Sequence, residues 1–265
     1  MNSLQHESQP APEPAGRRQS VPTVSIYGVP FSKMDMKQTV EYLIDAVERR
    51  DSHQVITANP IMVMTALGSP EYMSVMKQAD LIVPDGTGIV WAAGYVGEPV
   101  AERVTGFDLV HELFRAGEKR RWKMFLLGSS PEVIEAAAAK LQLDYPAVRI
   151  VGIRDGYFQD SEDDEVVAQI RAADPDILFV ARSADKQEPW IARYRQQLNV
   201  PIMMGVGGSF DVISGKLKRA PQAVQKLRLE WLYRLAKEPR RFKRMLALPK
   251  FAWKVVRDKE NVTKP

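Results

Sequence analysis

Two polar residues stand directly after short apolar runs, which is where an enzyme built on a sheet keeps reactive groups. Asp85 lies in a Pro-Asp-Gly turn, and Asn59 precedes Pro60. A carboxylate works as a general base when it is held near its target proton with a pKa lifted toward neutrality, and a strand end in a partly desolvated cleft provides both. Asn59 could orient a sugar hydroxyl or a phosphate. The alternative for Asp85 is a helix cap, which is favoured when this residue is considered by itself. The alternative for Asn59 is a turn before Pro60.

Three further features could bind a ligand. Arg103 could hold a diphosphate as a planar bidentate donor, or it could be a solvated arginine beside Glu102. The glycines of Gly205-Val206-Gly207-Gly208 would let the backbone approach a ligand closely, although a tight turn also needs glycine. Tyr157, after Gly156, could stack on a nucleobase or pack beside Phe158, and packing is favoured for Tyr157 alone.

Several common sites are excluded by the residue patterns. The GxGxxG spacing after the first predicted strand and a Walker sequence are both absent. The chain contains no cysteine, and its three histidines have no zinc-ligand spacing. Asp174-Pro175-Asp176 has a DxD pattern, but it precedes a predicted strand and would lie on the wrong edge of a sheet. We therefore interpret it as a turn, and we expect no bound metal and no cofactor.

The elements that must position these residues alternate between strand and helix. The strands are predicted at Thr23–Tyr27, Gln54–Thr57, Leu81–Val83, Lys123–Leu127, Arg149–Ile153, Ile177–Ala181 and Ile202–Val206. The helices are predicted near Met36–Arg49, Ile61–Leu67, Pro70–Gln78, Thr87–Tyr95, Phe107–Lys119, Pro131–Leu143, Asp163–Ala172 and Gln187–Gln197. This order predicts an α/β fold with a Rossmann-like, mainly parallel sheet flanked by helices. Six consecutive strand ends carry turn-forming and polar residues, which favours a binding cleft at the carboxyl edge.

The charge is concentrated in the last fifth of the chain. The segment from Lys216 to Lys259 holds fifteen Lys and Arg against three Asp and Glu, while the whole chain has a net charge of only +4. Aromatic residues interleave with this charge, which suits an interfacial helix on an anionic membrane, although a helix packed on its own domain or bound to nucleic acid would look similar. Membrane is preferred because no nucleic-acid motif accompanies the patch. We predict a disordered leader over residues 1–21, an α/β domain over 22–215 and a basic membrane-docking appendage over 216–265.

Taken together, the strand-end segments resemble the WecG/TagA/CpsF family of glycosyltransferases from about Ile26 to about Arg244. The segments that carry the resemblance are Thr57-Ala58-Asn59-Pro60, Ala79 to Gly88, Glu102 to Gly106, Phe125 to Gly128, Gly156-Tyr157-Phe158, Lys186-Gln187-Glu188, Gly205 to Asp211, Lys218 to Pro221 and Glu230 to Leu235. Each segment is short, and their joint order and spacing make the resemblance specific.

The resemblance implies a reaction and a setting for it. A sugar would pass with inversion from a UDP-sugar, UDP-N-acetylmannosamine in the best-known members, to undecaprenyl-diphosphate-linked N-acetylglucosamine, in teichoic acid or another surface polysaccharide. The enzyme would be cytoplasmic and peripheral on the inner face of the cell membrane. Its partners would be the donor, the lipid-linked acceptor and the anionic membrane surface, without nucleic acid, and a homo-oligomer is compatible with this setting.

The resemblance also assigns roles to residues. Asp85 would be the base, and Thr57, Asn59 and Gln187 would line the catalytic pocket. The substrate-binding residues would be Arg103, Gly128, Tyr157, Gly207, Asp211, Arg219 and Arg234, with Tyr157 stacked on uracil and Asp211 bonded to it. Ala181 to Asp185 departs from the glycines and proline that the family commonly has there, which makes this loop bulkier and more polar.

Two rival functions remain open from the sequence. One is a transferase of the same family that uses another UDP-sugar, such as UDP-N-acetylmannosaminuronic acid or UDP-glucose. The other is a non-catalytic α/β module that binds a membrane or nucleic acid. A donor screen separates the first rival, and the second predicts no sugar transfer at all.

Overall fold

A computed structural model of the protein describes residues 21–227, 229–239 and 242–264. The predicted leader therefore lies, apart from its last residue, outside the described residues. The strands are β1 Thr23–Ile26, β2 Val29–Ser32, β3 His53–Ala58, β4 Leu81–Pro84, β5 Lys123–Gly128, β6 Arg149–Arg154, β7 Ile177–Ala181 and β8 Ile202–Gly205. The helices are α1 Met36–Arg49, α2 Pro60–Gly68, α3 Pro70–Gln78, α4 Thr87–Tyr95, α5 Gly106–Arg120, α6 Pro131–Asp144, α7 Asp163–Ala173, α8 Ala184–Leu198, α9 Ser209–Ile213, α10 Gln222–Lys226, α11 Glu230–Lys237, α12 Phe242–Met245 and α13 Ala247–Asp258.

Six of the strands form one parallel sheet, in the order β4-β3-β8-β7-β5-β6. Since all six strands run the same way, all six carboxyl ends meet at one edge. Side chains alternate between the two faces. Met124 and Leu126 of β5 pack in a core with α1, α5 and α6, whereas Phe125 and Leu127 pack in another with α7 and α8. The predicted α/β fold with a parallel sheet flanked by helices is confirmed.

The first predicted strand does not join this sheet. It is β1, which pairs with β2 in a separate antiparallel hairpin. The hairpin turns at Tyr27 and Gly28, which have φ of 52° and 79°. Two consecutive positive φ values match the twist that a tight hairpin needs. The sequence prediction missed β2 because Pro30 within it is unfavourable in a strand, and this strand tolerates it in an isolated two-stranded hairpin.

The C-terminal segment from Lys216 to Lys264, which we call the arm, has two different halves. Val224, Leu227, Trp231 and Leu235 lie at helical spacing in the sequence, which predicts one helix from Val224 to Leu235. The structure instead has two short helices, α10 and α11, with a turn at Leu227. Leu227 is exposed. A helix with little tertiary packing has little to sustain it. By contrast, Phe251 and Val255 of α13 are buried in a core shared with the hairpin and α2–α4.

The end of the arm is fixed to the hairpin. The Tyr27 N–H donates to the Val262 carbonyl over 2.7 Å, and Val262 is buried. The Lys254 ammonium lies over the Tyr27 ring, 4.7 Å from its centroid. None of the described helices combines the length and apolar composition needed to cross a bilayer.

Candidate active site

A cleft of about 1320 Å³ lies at the carboxyl edge of the sheet. Residues that follow all six parallel strands contribute to its wall, and the arm covers it from the other side. Nine of the predicted site residues line it: Thr57, Asn59, Asp85, Arg103, Tyr157, Gln187, Gly207, Asp211 and Arg219. Of the other two, Gly128 does not line the cleft, and the side chain of Arg234 in α11 lies outside the described part of the chain.

Asp85 is placed by the pairing of β3 with β4. The register sets Ala58 beside Pro84, and the Asp85 N–H donates to the Ala58 carbonyl over 2.9 Å. Asp85 Oδ2 accepts the Gly106 N–H over 3.1 Å, which is the first amide of α5. The helix that directly follows Asp85, α4, has Gly86 as its N-cap. The carboxylate is thus oriented by the start of a helix that begins twenty-one residues further along the chain.

Thr57 and Asn59 stand beside Asp85 through the same strand pairing. Asn59 Oδ1 accepts the N–H groups of Ile61 and Met62 over 3.0 and 3.3 Å, so Asn59 caps α2. The sequence offered a turn as the alternative role of Asn59, and the structure makes it a helix cap instead. The side-chain NH₂ is the group left for a ligand. The Thr57 hydroxyl lies 3.4 Å from the Gly205 carbonyl. A Cβ at Gly106 would come within 2.9 Å of this hydroxyl, so the start of α5 needs glycine there.

Gln187 connects two strand-end loops. Its Oε1 accepts the Gly207 N–H over 3.1 Å and the Arg182 N–H over 3.3 Å. Gly207 has a positive φ of 50°, and its N–H, turned toward Gln187, is already used within the protein. Any amide that meets a bound phosphate must therefore come from another residue.

A buried carboxylate lies behind Gln187. Glu188 has no exposed surface, and its two carboxylate oxygens accept from the side-chain amides of Gln187, over 2.8 Å, and Gln54, over 3.3 Å. Burial raises the pKa of Glu188 to about 7, against these two hydrogen bonds, which lower it. A buried carboxyl group of this kind was not predicted to be part of the site.

Tyr157 stands on the opposite wall, after β6. Its side chain is 76% exposed. The packing against Phe158 that was favoured when Tyr157 was considered by itself is therefore wrong. The Gly156 N–H donates to the Ser129 carbonyl over 2.8 Å, and the Tyr157 N–H to Asp155 Oδ1 over 2.8 Å. The ring is therefore presented to the cleft by a fixed loop, with its faces available for stacking.

Gly128 lies behind the wall formed by its neighbour Ser129. It has a φ of +116°, and a Cβ there would come within 2.2 Å of the Ala181 carbonyl oxygen. The Ser129 N–H donates to that same carbonyl over 2.9 Å. Gly128 thus allows the ends of β5 and β7 to approach closely, and Ser129 is the residue that meets the cleft.

Two arginines from different regions converge on one carboxylate of the arm. Glu230 lies 2.7 Å from Arg103 and 3.8 Å from Arg219. Arg103 is three-quarters buried and pairs across to the arm, so it is not the solvated partner of Glu102. Arg219 also forms two hydrogen-bonded contacts, of 2.8 and 2.9 Å, with Asp108. Although burial raises the pKa of Asp108, the hydrogen bonds from Arg219 and Thr105 outweigh it and hold that pKa below its usual value.

The arm brings apolar and basic residues to the cleft. Trp231, Leu235 and Phe242 line it from α11 and α12, together with Arg244. Asp211 lies in α9, just before the arm, and its carboxylate is 4.0 Å from the Lys216 ammonium, with which the arm begins. The cleft therefore combines acidic and amide groups on the sheet edge with positive charge from the arm.

The loop that departs from the family pattern also meets the cleft. The Arg182 guanidinium stacks 4.4 Å from the centroid of the buried Phe158 ring, and Ser183 and Ala184 line the wall beside it. This loop is polar, as the sequence predicted, yet Gln187 keeps its place behind it.

The DxD segment lies at the amino edge, away from the cleft. Asp174 pairs with Arg50 over 2.8 Å and with Lys123, and Asp176 Oδ2 accepts the Lys123 N–H over 2.8 Å. Its interpretation as a turn agrees with these contacts. Over the described ranges, no three His, Asp or Glu side chains are grouped in a way that could hold a metal ion.

Three site residues were not predicted as such: Glu188, Glu230 and Ser129. Glu188 and Glu230 stand in segments that carried the family resemblance, but a carboxylate that acts on another protein side chain leaves no local pattern. The one usable signal was Gly205 at a strand end, because a glycine there indicates that something lies close above the backbone.

Comparison with known proteins agrees with this geometry. The model of the glycosyl transferase WecG/TagA/CpsF family matches residues 24–264. A protein of Bacillus subtilis (strain 168) is 35% identical over 240 residues, which is 90% of this chain and 93% of the relative. A protein of Staphylococcus aureus (strain MW2) is 36% identical over 249 residues, 93% of this chain and 97% of the relative. Both relatives are named N-acetylglucosaminyldiphosphoundecaprenol N-acetyl-beta-D-mannosaminyltransferase.

Proposed function

The chain belongs to the WecG/TagA/CpsF family of glycosyltransferases, and from this premise we propose that it transfers N-acetylmannosamine from UDP-N-acetylmannosamine to undecaprenyl-diphosphate-linked N-acetylglucosamine. It is accordingly an enzyme of sugar transfer. The acceptor and the sugar are those in the names of relatives that match nine-tenths of the chain. The observation that carries the proposal is the cleft itself. Asp85, Asn59 and Gln187 line it together with two arginines, Arg103 and Arg219.

Asp85 is the proposed base. Its carboxylate would take the proton of the acceptor 4-hydroxyl while that oxygen forms a bond to the anomeric carbon of the donor. The bond from that carbon to the diphosphate breaks on the opposite face, and its electron pair leaves with UDP, which inverts the configuration. The hydrogen bond from the Gly106 N–H to Oδ2 holds the carboxylate at the wall of the cleft.

The leaving diphosphate needs positive charge as its bond breaks. Arg103 and Arg219 supply it in this proposal, because both line the cleft and both already hold a carboxylate there, Glu230. A guanidinium matches two oxygens of a phosphate as it matches those of a carboxylate. A bound diphosphate would therefore replace Glu230 as the partner of these arginines.

The uridine end of the donor is proposed to lie between Tyr157 and Asp211. The exposed Tyr157 ring offers a stacking face, and Asp211 lines the same cleft with an acceptor for a base N–H. The catalytic pocket would then be completed by Thr57, Asn59 and Gln187. Gly207 would shape the turn from β8 to α9, which bonds to Gln187 and leads to Asp211.

The arm is proposed to dock on the inner face of the cell membrane, where the lipid-linked acceptor lies. Trp253 on α13 and Phe242 on α12 are exposed, and basic residues flank both. Such a surface suits the headgroup region, where aromatic rings and cationic side chains meet lipid phosphates. The same segment lines the cleft, so docking and completion of the site would occur together.

A donor screen tests the proposal. The wild-type enzyme is incubated with a lipid-diphosphate-N-acetylglucosamine acceptor and, separately, UDP-N-acetylmannosamine, UDP-N-acetylmannosaminuronic acid, UDP-glucose and UDP-N-acetylglucosamine, and UDP release is measured. We expect the first donor to react at least tenfold faster than the others, a difference of about 1.4 kcal/mol in the barrier. Preference for another UDP-sugar would replace the donor assignment. Release from none of them would contradict the proposed reaction.

A further inference from the structure

Glu188 is a fully buried carboxylate that is met by neutral amides. Its oxygens accept from Gln187 and Gln54, and the Gln54 amide also donates to the Glu188 main-chain carbonyl over 3.1 Å. A buried carboxylate is costly in free energy even when it is hydrogen-bonded, so an apolar side chain would be the simpler way to fill the space. Its contribution therefore lies in the orientation of the groups that it meets.

The hydrogen bonds around Gln187 define one orientation of its amide. The Nε2 group donates to Glu188, and the Oε1 atom accepts from the Gly207 and Arg182 backbone N–H groups. In the reversed orientation, the side-chain NH₂ would face two N–H donors and the carbonyl would face a carboxylate. All the contacts would then pair like with like. The acceptor on Glu188 thus selects the orientation that ties the loops after β7 and β8 to Gln187.

Gly205 makes room for this pair. A Cβ at Gly205 would come within 2.2 Å of Glu188 Oε1 and 2.3 Å of Gln187 Nε2. Neither atom can move far, because Glu188 is fully buried and Gln187 nearly so. The glycine at the end of β8 is therefore matched to the two side chains that lie over it.

We propose that Glu188 is a positioning residue, which acts through Gln187 to hold the Gly207 and Arg182 loops in place at the active site. Glu188 lies behind Gln187 and would not touch the substrate. The inference rests on the proposed function only in assuming that Gln187 and these loops meet the substrate. The orientation of the Gln187 amide by Glu188 does not depend on which sugar is transferred.

Two substitutions at position 188 distinguish a hydrogen-bond acceptor for Gln187 from a side chain that only fills space. In Glu188→Leu the volume is kept, but the acceptor for Gln187 is lost. In Glu188→Gln the new carbonyl still accepts from Gln187, while the new NH₂ replaces the oxygen that accepts from Gln54 Nε2. The Gln54 amide must then turn over, so that its Oε1, which has no partner within the described residues, accepts from the new NH₂ in exchange for the hydrogen bond to the main-chain carbonyl of residue 188. We expect kcat to fall at least about tenfold in Glu188→Leu and to stay within about threefold of wild type in Glu188→Gln.

The stoichiometry of UDP binding by calorimetry gives the folded fraction against which each kcat is corrected. A wild-type kcat in a folded Glu188→Leu variant would overturn the proposal. Equal losses in the two variants would also overturn it, because an acceptor alone would then not restore activity.

Gly205→Ala disturbs the same two side chains, Glu188 and Gln187, from the end of β8. It provides a second variant in case Glu188→Leu does not fold. It should lower kcat to the same extent as Glu188→Leu. The matched control is Gly94→Ala on α4, where a Cβ meets nothing within 4 Å, and it should behave as wild type. If Gly205→Ala kept the wild-type kcat, the close packing of Glu188 and Gln187 against Gly205 would have no functional role.

Amide hydrogen exchange supplies a measurement that needs no turnover. In Glu188→Leu and Gly205→Ala, the Gly207 and Arg182 amides should exchange faster than in wild type, while in Glu188→Gln they should stay protected. Unchanged exchange in all three variants would overturn the positioning role. If the wild-type enzyme released no UDP from any donor, the proposed function would fail, and the exchange data would still decide about Glu188.

Discussion

The two sides of the cleft are built differently. On the sheet edge, main-chain hydrogen bonds and buried neighbours hold Asp85 and Gln187. On the facing side, α10 to α12 of the arm carry no buried side chain among their described residues and meet the sheet edge through the ion pair of Glu230 with Arg103. Groups that transfer protons need fixed geometry, whereas groups that capture an anion can exchange one anion for another. The contrast suggests that the sheet edge performs the chemistry and the arm recognises charged ligands.

The arm is nevertheless tethered at its far end. Phe251, Val255 and Val262 belong to a core that includes the hairpin, so the arm leaves the domain and returns to it. A truncation after Gly215 would remove these residues and confuse loss of fold with loss of the site. Point substitutions are therefore the way to test the arm.

The largest effect on stability should come from breaking the tether. Phe251→Ala removes a ring that is 1% exposed and should lower the free energy of unfolding by about 3–5 kcal/mol. Phe242→Ala makes the same change in the loosely packed half of the arm, where the ring is 57% exposed, and should cost within about 0.5 kcal/mol. Urea unfolding measures both. Equal losses would show that the two halves of the arm do not differ as described.

The buried carboxylate on the sheet edge should make stability depend on pH. The pKa of Glu188 rises from 4.5 to about 7 on folding, so between these values the folded state keeps a proton that the unfolded state has lost. Stability therefore falls as pH rises through this window, by up to about 3 kcal/mol. In Glu188→Gln this contribution disappears, so the variant should gain on wild type from pH 4.5 to pH 8. Parallel pH profiles of urea unfolding would contradict this expectation.

Charge recognition by the arm should be sensitive to one arginine. Arg219→Gln removes a guanidinium from the cleft and should weaken UDP binding by roughly 10-fold to 100-fold, the range expected for a lost charged hydrogen bond. Arg50→Gln removes the same charge at the amino edge of the sheet, beside Asp174, and should leave UDP binding unchanged. Calorimetry with UDP measures both affinities. Equal affinities of Arg219→Gln and wild type would show that this arginine does not meet the diphosphate.

A single lysine on the exposed part of the arm should have the smallest effect. Lys243→Gln on α12 should weaken binding to vesicles that contain anionic lipid by about fivefold, or about 1 kcal/mol. Lys77→Gln on α3 removes an exposed lysine from the α/β domain and is the matched control. Vesicle co-sedimentation at low salt compares them. If Lys77→Gln weakened binding as much as Lys243→Gln, the arm would not be the docking surface.

Much of the fold could be predicted because local patterns determine it. The helices Met36–Arg49 and Pro70–Gln78 have capping residues and breaks at their ends that the sequence displays, and the predicted bounds match the structure. The hairpin could not be predicted in the same way, since β2 is stabilised by packing with β4 and α3, in a core shared with α13, rather than by its own composition. The break at Leu227 was missed because helical spacing says nothing about what a helix packs against.

The site was predictable as far as it follows from strand ends. Asp85, Asn59 and Gly207 follow apolar runs, and parallel pairing brings them to one edge without further information. The contacts that cross the cleft could not be predicted. Glu230 and Arg103 are 127 positions apart in the chain, and no local sequence pattern indicates that they pair.

The most direct test of the account compares one chemical change at the two edges of the sheet. The rate of a single turnover and the affinity for UDP are measured for Asp85→Asn in the cleft and for Asp174→Asn at the amino edge, each against wild type. We predict transfer at least about 100-fold slower for Asp85→Asn, with UDP affinity within about threefold of wild type, and a wild-type rate for Asp174→Asn. A near wild-type rate for Asp85→Asn would contradict the claim that the sheet edge supplies the base.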